Sequence, residues 1–363
     1  MRRLRLYWVV GELSGEMHAA ALLRALYQLY PSIESRGMGG EEMQALGMSL
    51  AAHWREYSVV GFVEVIGKLR RFIRLYTFLK KDILSFHPDR LILVDYPGLN
   101  LRLAHWAATQ GLGVTYFIPP QLWAWNPGRV RFLRHPQIQI LCILPFEPAF
   151  YAQYGIQAEF VGHPLVDRLR NVKPFQWSKP YIALLPGSRL SEVKHILPTM
   201  AVLPSFLPHM DFIVSKVRHI PSSIYQERAP KLPLIEGSTP ELLCGAEAAV
   251  VASGTATLEA ALVGTPTVIV YKGNPFSYSI AKRLVRVSFI GLPNLILGEA
   301  VFPELIQPEY TPAKVAEALL NQLSQRGSIQ TKLQSLRQKL EGPSEGAVQK
   351  AAQALITAIK YTG

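Results

Sequence analysis

The feature that most constrains this chain is a repeated alternation. Short, β-branched apolar runs are separated by longer amphipathic stretches. Leu4–Val10 is the first run, followed by a glycine-containing turn and a helix from about Gly15. Leu91–Val94, Val114–Ile118, Gln139–Leu144 and Ala158–Val161 follow, with helical stretches between them. Runs that are apolar at every position suit strands buried on both faces, and helices must then cover both sides of a parallel sheet. The rhythm breaks at about residues 170–180, where Pro174 and Pro180 interrupt a stretch with little periodicity. It resumes with Ile182–Leu185, Asp211–Ser215, Leu234–Ile235, Ala248–Ala252 and Thr267–Tyr271. The expected fold is therefore α/β, with two doubly wound, Rossmann-like domains at 1–170 and 171–342. In the remaining segment, 343–363, Val348, Ala352, Leu355 and Ile359 step at helical spacing. That last helix is expected to pack back on the first domain.

A length of 363 residues fits two domains. An apolar content of 49% supplies two large cores. No run of about 18 apolar residues occurs, so no membrane-spanning helix is expected. The basic, then apolar start MRRLRLYWVV stops at Gly11 and Glu12 without a small-residue cleavage site, which favours a first buried strand over a secretion signal. A cytoplasmic location is expected. The net charge of +12 points to an anionic partner: nucleic acid, a membrane surface or a phosphorylated substrate. Zinc-finger spacing, a basic zipper and an aromatic RNA-binding signature are all missing, which argues against nucleic acid. Cys142 and Cys244 sit in apolar contexts and fit buried thiols.

The second half carries the nucleotide signals. Gly187, Ser188 and Arg189 follow a strand and precede a helix, where backbone N–H groups and a guanidinium suit phosphate. Ser253, Gly254 and Thr255 repeat that placement, with Glu259 about one helical turn on, within reach of ribose hydroxyls. Either loop alone also fits a plain capped helix. Asn294, in a Gly-Leu-Pro-Asn turn, either reaches the ligand or braces the turn.

The first half carries ionisable groups at strand ends. Glu12, Glu16 and His18 follow the first strand, and Asp95 follows Leu91–Val94. A general base would sit there, although a capped turn uses the same residues. The chain has five aspartates, no two separated by a single residue, so a metal-binding Asp-x-Asp motif is absent and no metal site is expected. Between these segments, residues 59–86 combine an apolar stripe with Lys and Arg. Phe62, Val63, Ile66, Leu69 and Phe72 beside Arg70, Arg71 and Arg74 make a candidate lipid-contacting surface. A core-facing helix with a solvated basic face is the competing explanation.

Ten ordered segments carry a resemblance. They include GELSGE (11–16), VGFVEVIGKLRR (60–71), HPDRLILVDYPGLN (87–100), PPQLWAW (119–125), LPFEPAFY (144–151), LLPGSRLSEV (184–193), ASGTATLEAAL (252–262) and GLPNLILGE (291–299). Along nearly its whole length the chain resembles the lipid-A-disaccharide synthase family. The resemblance implies a GT-B glycosyltransferase, with two Rossmann-like domains facing a cleft and UDP held mainly by the second. It implies inverting, metal-independent transfer from UDP-2,3-diacylglucosamine to the 6-hydroxyl of 2,3-diacylglucosamine 1-phosphate, giving a β-1,6 disaccharide 1-phosphate and UDP. The UDP-sugar is a substrate, so no cofactor is implied, and the place of work is the inner face of a bacterial inner membrane. One departure stands out. Many members read Asp-x-Pro-Asp-Phe-Asn where this chain has Asp95–Asn100, and their second aspartate is Gly98 here. The base assignment then falls on Asp95, with Glu12, Glu16 or His18 behind it. Competing readings are another GT-B enzyme, such as a lipid-acceptor N-acetylglucosaminyl transferase or a UDP-N-acetylglucosamine 2-epimerase, and a non-catalytic nucleotide-binding protein.

Overall fold

A computed structural model describes residues 3–57, 65–273, 287–342 and 345–362, with backbone alone for 65–69 and 361–362. The first stretch of chain runs β1 (Leu4–Val10), α1 (Leu13–Leu29), β2 (Ile33–Gly39), α2 (Glu41–Ala45), β3 (Ser49–His53), α3 (Val65–Phe86), β4 (Arg90–Val94) and α4 (Pro97–Thr109). It continues with β5 (Val114–Phe117), α5 (Leu122–Trp125), β6 (Ile138–Cys142), α6 (Glu147–Ala152) and β7 (Glu159–Phe160). These seven strands form one parallel sheet in the order β3-β2-β1-β4-β5-β6-β7. β1 and β4 are wholly apolar but for Arg5 and Arg90, as strands covered on both faces must be.

The chain then passes through α7 (Pro164–Arg168) to β8 (Tyr181–Leu185), α8 (Leu190–Met200), β9 (Asp211–Lys216), α9 (Ser222–Arg228), β10 (Leu234–Glu236) and α10 (Thr239–Gly245). β11 (Ala248–Ala252), α11 (Thr255–Leu262), β12 (Thr267–Tyr271), α12 (Leu292–Leu297), β13 (Glu304–Ile306), α13 (Pro312–Ser324) and α14 (Arg326–Leu340) follow. The second sheet is also parallel, in the order β10-β9-β8-β11-β12-β13. In each sheet the winding direction reverses once, between β1 and β4 and between β8 and β11. At such a reversal the two loops leaving the strands' carboxyl ends diverge to opposite faces, and the gap between them is where ligands bind in open α/β sheets.

Two compact units result: residues 1–164 with 341–363, and residues 165–340. The division falls at Pro164/Leu165 rather than at 170/171. The last helix, α15 (Ala347–Thr362), lies in the first unit. Its Ala351, Ala352 and Leu355 share a core with Leu22, Leu23 and Leu26 of α1 and with Trp8 and Val10 of β1. Gly162 and Gly342 pass so closely that a Cβ on Gly162 would lie 2.6 Å from the Gly342 backbone, and Gly162 has φ +92°. That crossing brings the returning chain back beside β7. Leu355→Ala is expected to destabilise the first unit by roughly 2–5 kcal/mol, since it empties a fully buried site. Leu320→Ala, at an exposed position, is expected to cost under about 0.5 kcal/mol. Urea denaturation of the two variants checks both.

Candidate functional site

The reversal in the first sheet is tied together by Asn100, in the first turn of α4. Its fully buried side-chain amide donates to the carbonyls of Val9 on β1 (3.2 Å), Val94 on β4 (3.2 Å) and Asp95 (2.8 Å). Tyr116 on β5 donates its hydroxyl to the same Asp95 carbonyl at 2.7 Å. These bonds hold Asp95 and Tyr96 in consecutive left-handed conformations, at φ +48° and +51°. Such residues cost of order 1–3 kcal/mol each, and they persist where the surroundings over-determine them. The result turns the Asp95 carboxyl back toward β1. Gly11 must be glycine here, because a Cβ would fall within the Tyr96 ring.

Glu12 follows Gly11 and is exposed, accepting from the Ser14 hydroxyl at 2.6 Å. It also hydrogen-bonds the Asp95 carboxyl. Burial, then the Glu12 charge and that hydrogen bond, push the Asp95 carboxyl up to about 7. Asp95 is thus a group that can accept a proton near neutral pH, at the mouth of the sheet. The same burial destabilises its ionised form. The stability its proton confers is complete at low pH and lost as pH rises through about 7.

The other two base candidates lie elsewhere. Glu16 is buried, and its carboxylate accepts from Trp54 Nε1 (2.5 Å) and the Glu42 amide (2.8 Å). Gly40 leaves room for it, since a Cβ there would strike both carboxylate oxygens. Glu16 therefore braces α1 against the β2–β3 region and is not a base. His18 is half-buried, two residues further along α1.

A carboxylate that sequence reasoning passed over is Glu147, wholly buried at the start of α6 and pushed up to about 7 by burial. It accepts from Trp123 Nε1 (3.1 Å) and the Leu144 amide (3.1 Å), and so fixes the Trp123–Trp125 turn. Its signal in the sequence was an acid inside the apolar Leu144–Tyr151 segment.

In the second sheet, both expected phosphate loops leave the reversal, one from β8 and one from β11. Gly187 has φ +112° and sits against the Glu192 side chain, which a Cβ would strike. Glu192 accepts from the amides of Ser188 (3.0 Å) and Arg189 (3.1 Å), and pairs with the Arg189 guanidinium at 2.7 Å. The donors expected for phosphate are thus already turned toward one anion, the chain's own. The β11 loop is open by contrast. No side chain caps α11, and a Cβ on exposed Gly254 would meet nothing within 4 Å. Thr255 begins the helix, exposed, and Ser253 donates to the Ile290 carbonyl at 3.1 Å. Glu259 is paired with Arg168, a partner that sequence reasoning missed because it was assigned to the first domain. Burial still outweighs that pairing and raises the Glu259 carboxyl.

Asn294 is corrected from ligand contact to scaffold. It is fully buried, donates to the Phe302 carbonyl (2.7 Å) and Glu304 (2.9 Å), and accepts from the Phe302 amide (2.9 Å). Both N–H donors of its amide are used and its oxygen already accepts. Glu304 in turn accepts from the Ile290 and Gly291 amides, both at 2.9 Å.

Of the proposed lipid surface, Phe62 and Val63 lie outside the described residues, as do the side chains of Ile66 and Leu69. Phe72 is half-buried against the first unit's core, in line with buried Leu75, Leu79, Ile83 and Phe86. The stripe read as lipid-facing is, from Phe72 onward, the core face of α3. Its opposite face exposes Ile73, Phe78 and Leu84 among Arg70, Arg71, Arg74 and Lys81.

The model of the lipid-A-disaccharide synthetase family matches residues 6–359. The lipid-A-disaccharide synthase of Syntrophus aciditrophicus is 39% identical over 373 residues, covering 97% of each chain. The chain belongs to the lipid-A-disaccharide synthase family. The enzyme of the same name from Acidobacterium capsulatum is 37% identical, covering 93% of this chain and 92% of that one. Solved structures of the glycotransferase of kitacinnamycin (TM-score 0.67, 15% identity, 99% and 100% coverage) and of the calicheamicin glycosyltransferase (TM-score 0.66, 13% identity, 99% and 99%) share the GT-B fold. UDP-GlcNAc 2-epimerase from Neisseria meningitidis shares it too (TM-score 0.60, 10% identity, 99% and 100%), so fold alone does not choose between transfer and epimerisation. The family match does. This member of the lipid-A-disaccharide synthase family is a hexosyltransferase of lipid A biosynthesis, acting on a sugar-nucleotide donor and a sugar acceptor. In this family setting Gly98 is exposed and open, and the carboxyl three residues before it, Asp95, is hydrogen-bonded to Glu12. With Asp95 as base, kcat/KM is expected to rise tenfold per pH unit below an acid limb near 7. Glu12→Gln is expected to move that limb to lower pH, because it removes a charge that raises Asp95. A pH–rate profile of each protein checks this.

Proposed function

We propose that the chain condenses UDP-2,3-diacylglucosamine with 2,3-diacylglucosamine 1-phosphate. Asp95 takes the proton from the acceptor 6-hydroxyl as that oxygen attacks C1 of the donor sugar. The C1–O bond to UDP breaks on the opposite face, so an α-linked donor gives a β-1,6 disaccharide 1-phosphate. The observation that carries this reading is the Asp95 carboxyl, half-buried and hydrogen-bonded to Glu12 at the reversal and raised to about 7. A single displacement needs one such group.

The leaving diphosphate is balanced by Arg189, by the Gly187–Arg189 amides once Glu192 gives way, and by the uncapped start of α11. Glu259, oriented by Arg168, accepts from the ribose hydroxyls. No metal enters the step. Purified protein given both lipid substrates in the presence of a chelator is expected to release UDP and form disaccharide. Consumption of UDP-N-acetylglucosamine, with neither product, would point to the epimerase. Asp95→Asn is expected to lower turnover by at least about a hundredfold while UDP affinity changes little, the scale on which a lost general base is felt.

The place of action is the cytoplasmic face of the inner membrane, with the outer face of α3 against the lipid. What supports this is the mixture of exposed Ile73, Phe78 and Leu84 with four basic residues. Each basic residue near an anionic surface contributes about 1 kcal/mol. Reversing Arg70, Arg71 and Arg74 to Glu is therefore expected to weaken binding to phosphatidylglycerol vesicles by more than about tenfold in a flotation assay. Unchanged flotation would return α3 to a solvated helix.

A further inference from the structure

Two guanidinium groups gather at the loop that carries Asp95. Arg102 Nη1 donates to the Gly98 carbonyl at 2.8 Å, and Arg129 Nη2 donates to the Pro97 carbonyl at 3.1 Å. Each lies over an aromatic ring, Arg102 over Phe72 at 5.6 Å and Arg129 over Trp125 at 5.7 Å. Neither has a carboxylate partner among the described residues, whereas Arg36 and Arg55 of the same unit are paired with Asp82 and Glu41.

The arrangement is electrostatically unfavourable as it stands. Both groups reach the first turn of α4, the positive end of a 13-residue helix. Burial pushes the Arg129 guanidinium down, and the neighbouring Arg102 charge pushes it further in the same direction. Each arginine spends only one of its five N–H donors on the loop carbonyl. The space beside them is open, since Gly98 is exposed and a Cβ there would meet nothing within 4 Å. Two cations held a turn from a helix start, with spare donors and open space, suit a dianion with several oxygens.

We infer that Arg102 and Arg129 form the subsite that receives the acceptor's phosphomonoester. The inference rests on the transfer reading given above. The acceptor is a hexose with its nucleophilic hydroxyl at one end and a phosphate at the other. Asp95 and the two arginines share the loop Asp95–Gly98, so gripping the phosphate selects which end of the sugar meets the base. The same loop that supplies the base thereby selects a phosphorylated acceptor over a neutral one. Phe72 beneath Arg102 lies on α3, which puts the subsite beside the helix assigned to the lipid surface.

Binding of 2,3-diacylglucosamine 1-phosphate and of its dephosphorylated counterpart, without donor, tests this on the full-length chain. Wild type is expected to prefer the phosphorylated compound by at least about tenfold, as charge-assisted pairs to phosphate do. Arg102→Gln/Arg129→Gln is expected to lose that preference, with UDP affinity unchanged, and Arg102→Lys/Arg129→Lys to keep part of it. A preference that survives in the Gln variant overturns the inference. So does a Gln variant that keeps the preference but loses binding to phosphatidylglycerol vesicles, since the ligand would then be a phospholipid headgroup. If the Gln double variant does not fold, the single Arg129→Gln and Arg102→Gln variants carry the same comparison, each expected to lose part of the preference. If wild type shows the arginine-dependent preference but transfers no sugar, the subsite stands and the transfer reading fails.

Discussion

Two carboxyl groups meet where the first sheet reverses its winding, and the loops leaving β1 and β4 are arranged around that contact. Neighbouring parallel strands that lead to opposite faces release their loops from almost the same point. Glu12 leaves β1 there and Asp95 leaves β4. Two like charges so close, one of them half-buried, are not both comfortably ionised, so Asp95 holds its proton to about neutral pH. The geometry has a cost. Asp95 and Tyr96 occupy left-handed backbone, and the Asn100 amide with the Tyr116 hydroxyl keeps them there. Local stability is given up to hold that carboxyl beside Glu12.

The second sheet repeats the topology with different residues at its reversal. Its reversal presents two glycine-containing loops and the start of α11, all suited to an anion. Glu192 shows what one of those loops is built to hold, because a carboxylate already bridges the Ser188 and Arg189 amides. Glu192 also pairs with the Arg189 guanidinium, so an anion arriving at these amides competes with it for the same donors.

Much of this was legible in the sequence, for identifiable reasons. Strands such as Leu91–Val94 and Ala248–Ala252 are continuous apolar runs, which parallel sheets covered on both faces demand. The loops after them were found because strand ends are where ligands bind. What the sequence withheld were contacts between distant segments. Glu16 looked like a base candidate until Trp54, 38 positions away, claimed its carboxylate. Asn294 satisfies itself within ten residues, yet nothing in Gly-Leu-Pro-Asn distinguishes a brace from a ligand contact. The periodicity of α3 was correct, but periodicity gives two faces without naming the neighbour of each. The core took the stripe through Phe72 and Leu79, leaving Ile73 and Leu84 outside. Arg129, 34 positions from Asp95, had no local signal.

The central claim is that a single aspartate is protonated near neutrality because of where the chain places it. Carbon-13 NMR titration of aspartate-labelled protein, with the resonance assigned by its loss in Asp95→Asn, measures that directly. The account predicts one aspartate carboxyl titrating at about 7, moving to lower pH in Glu12→Gln. Finding Asp95 fully ionised at pH 5, in the range of an ordinary surface carboxylate, would contradict it.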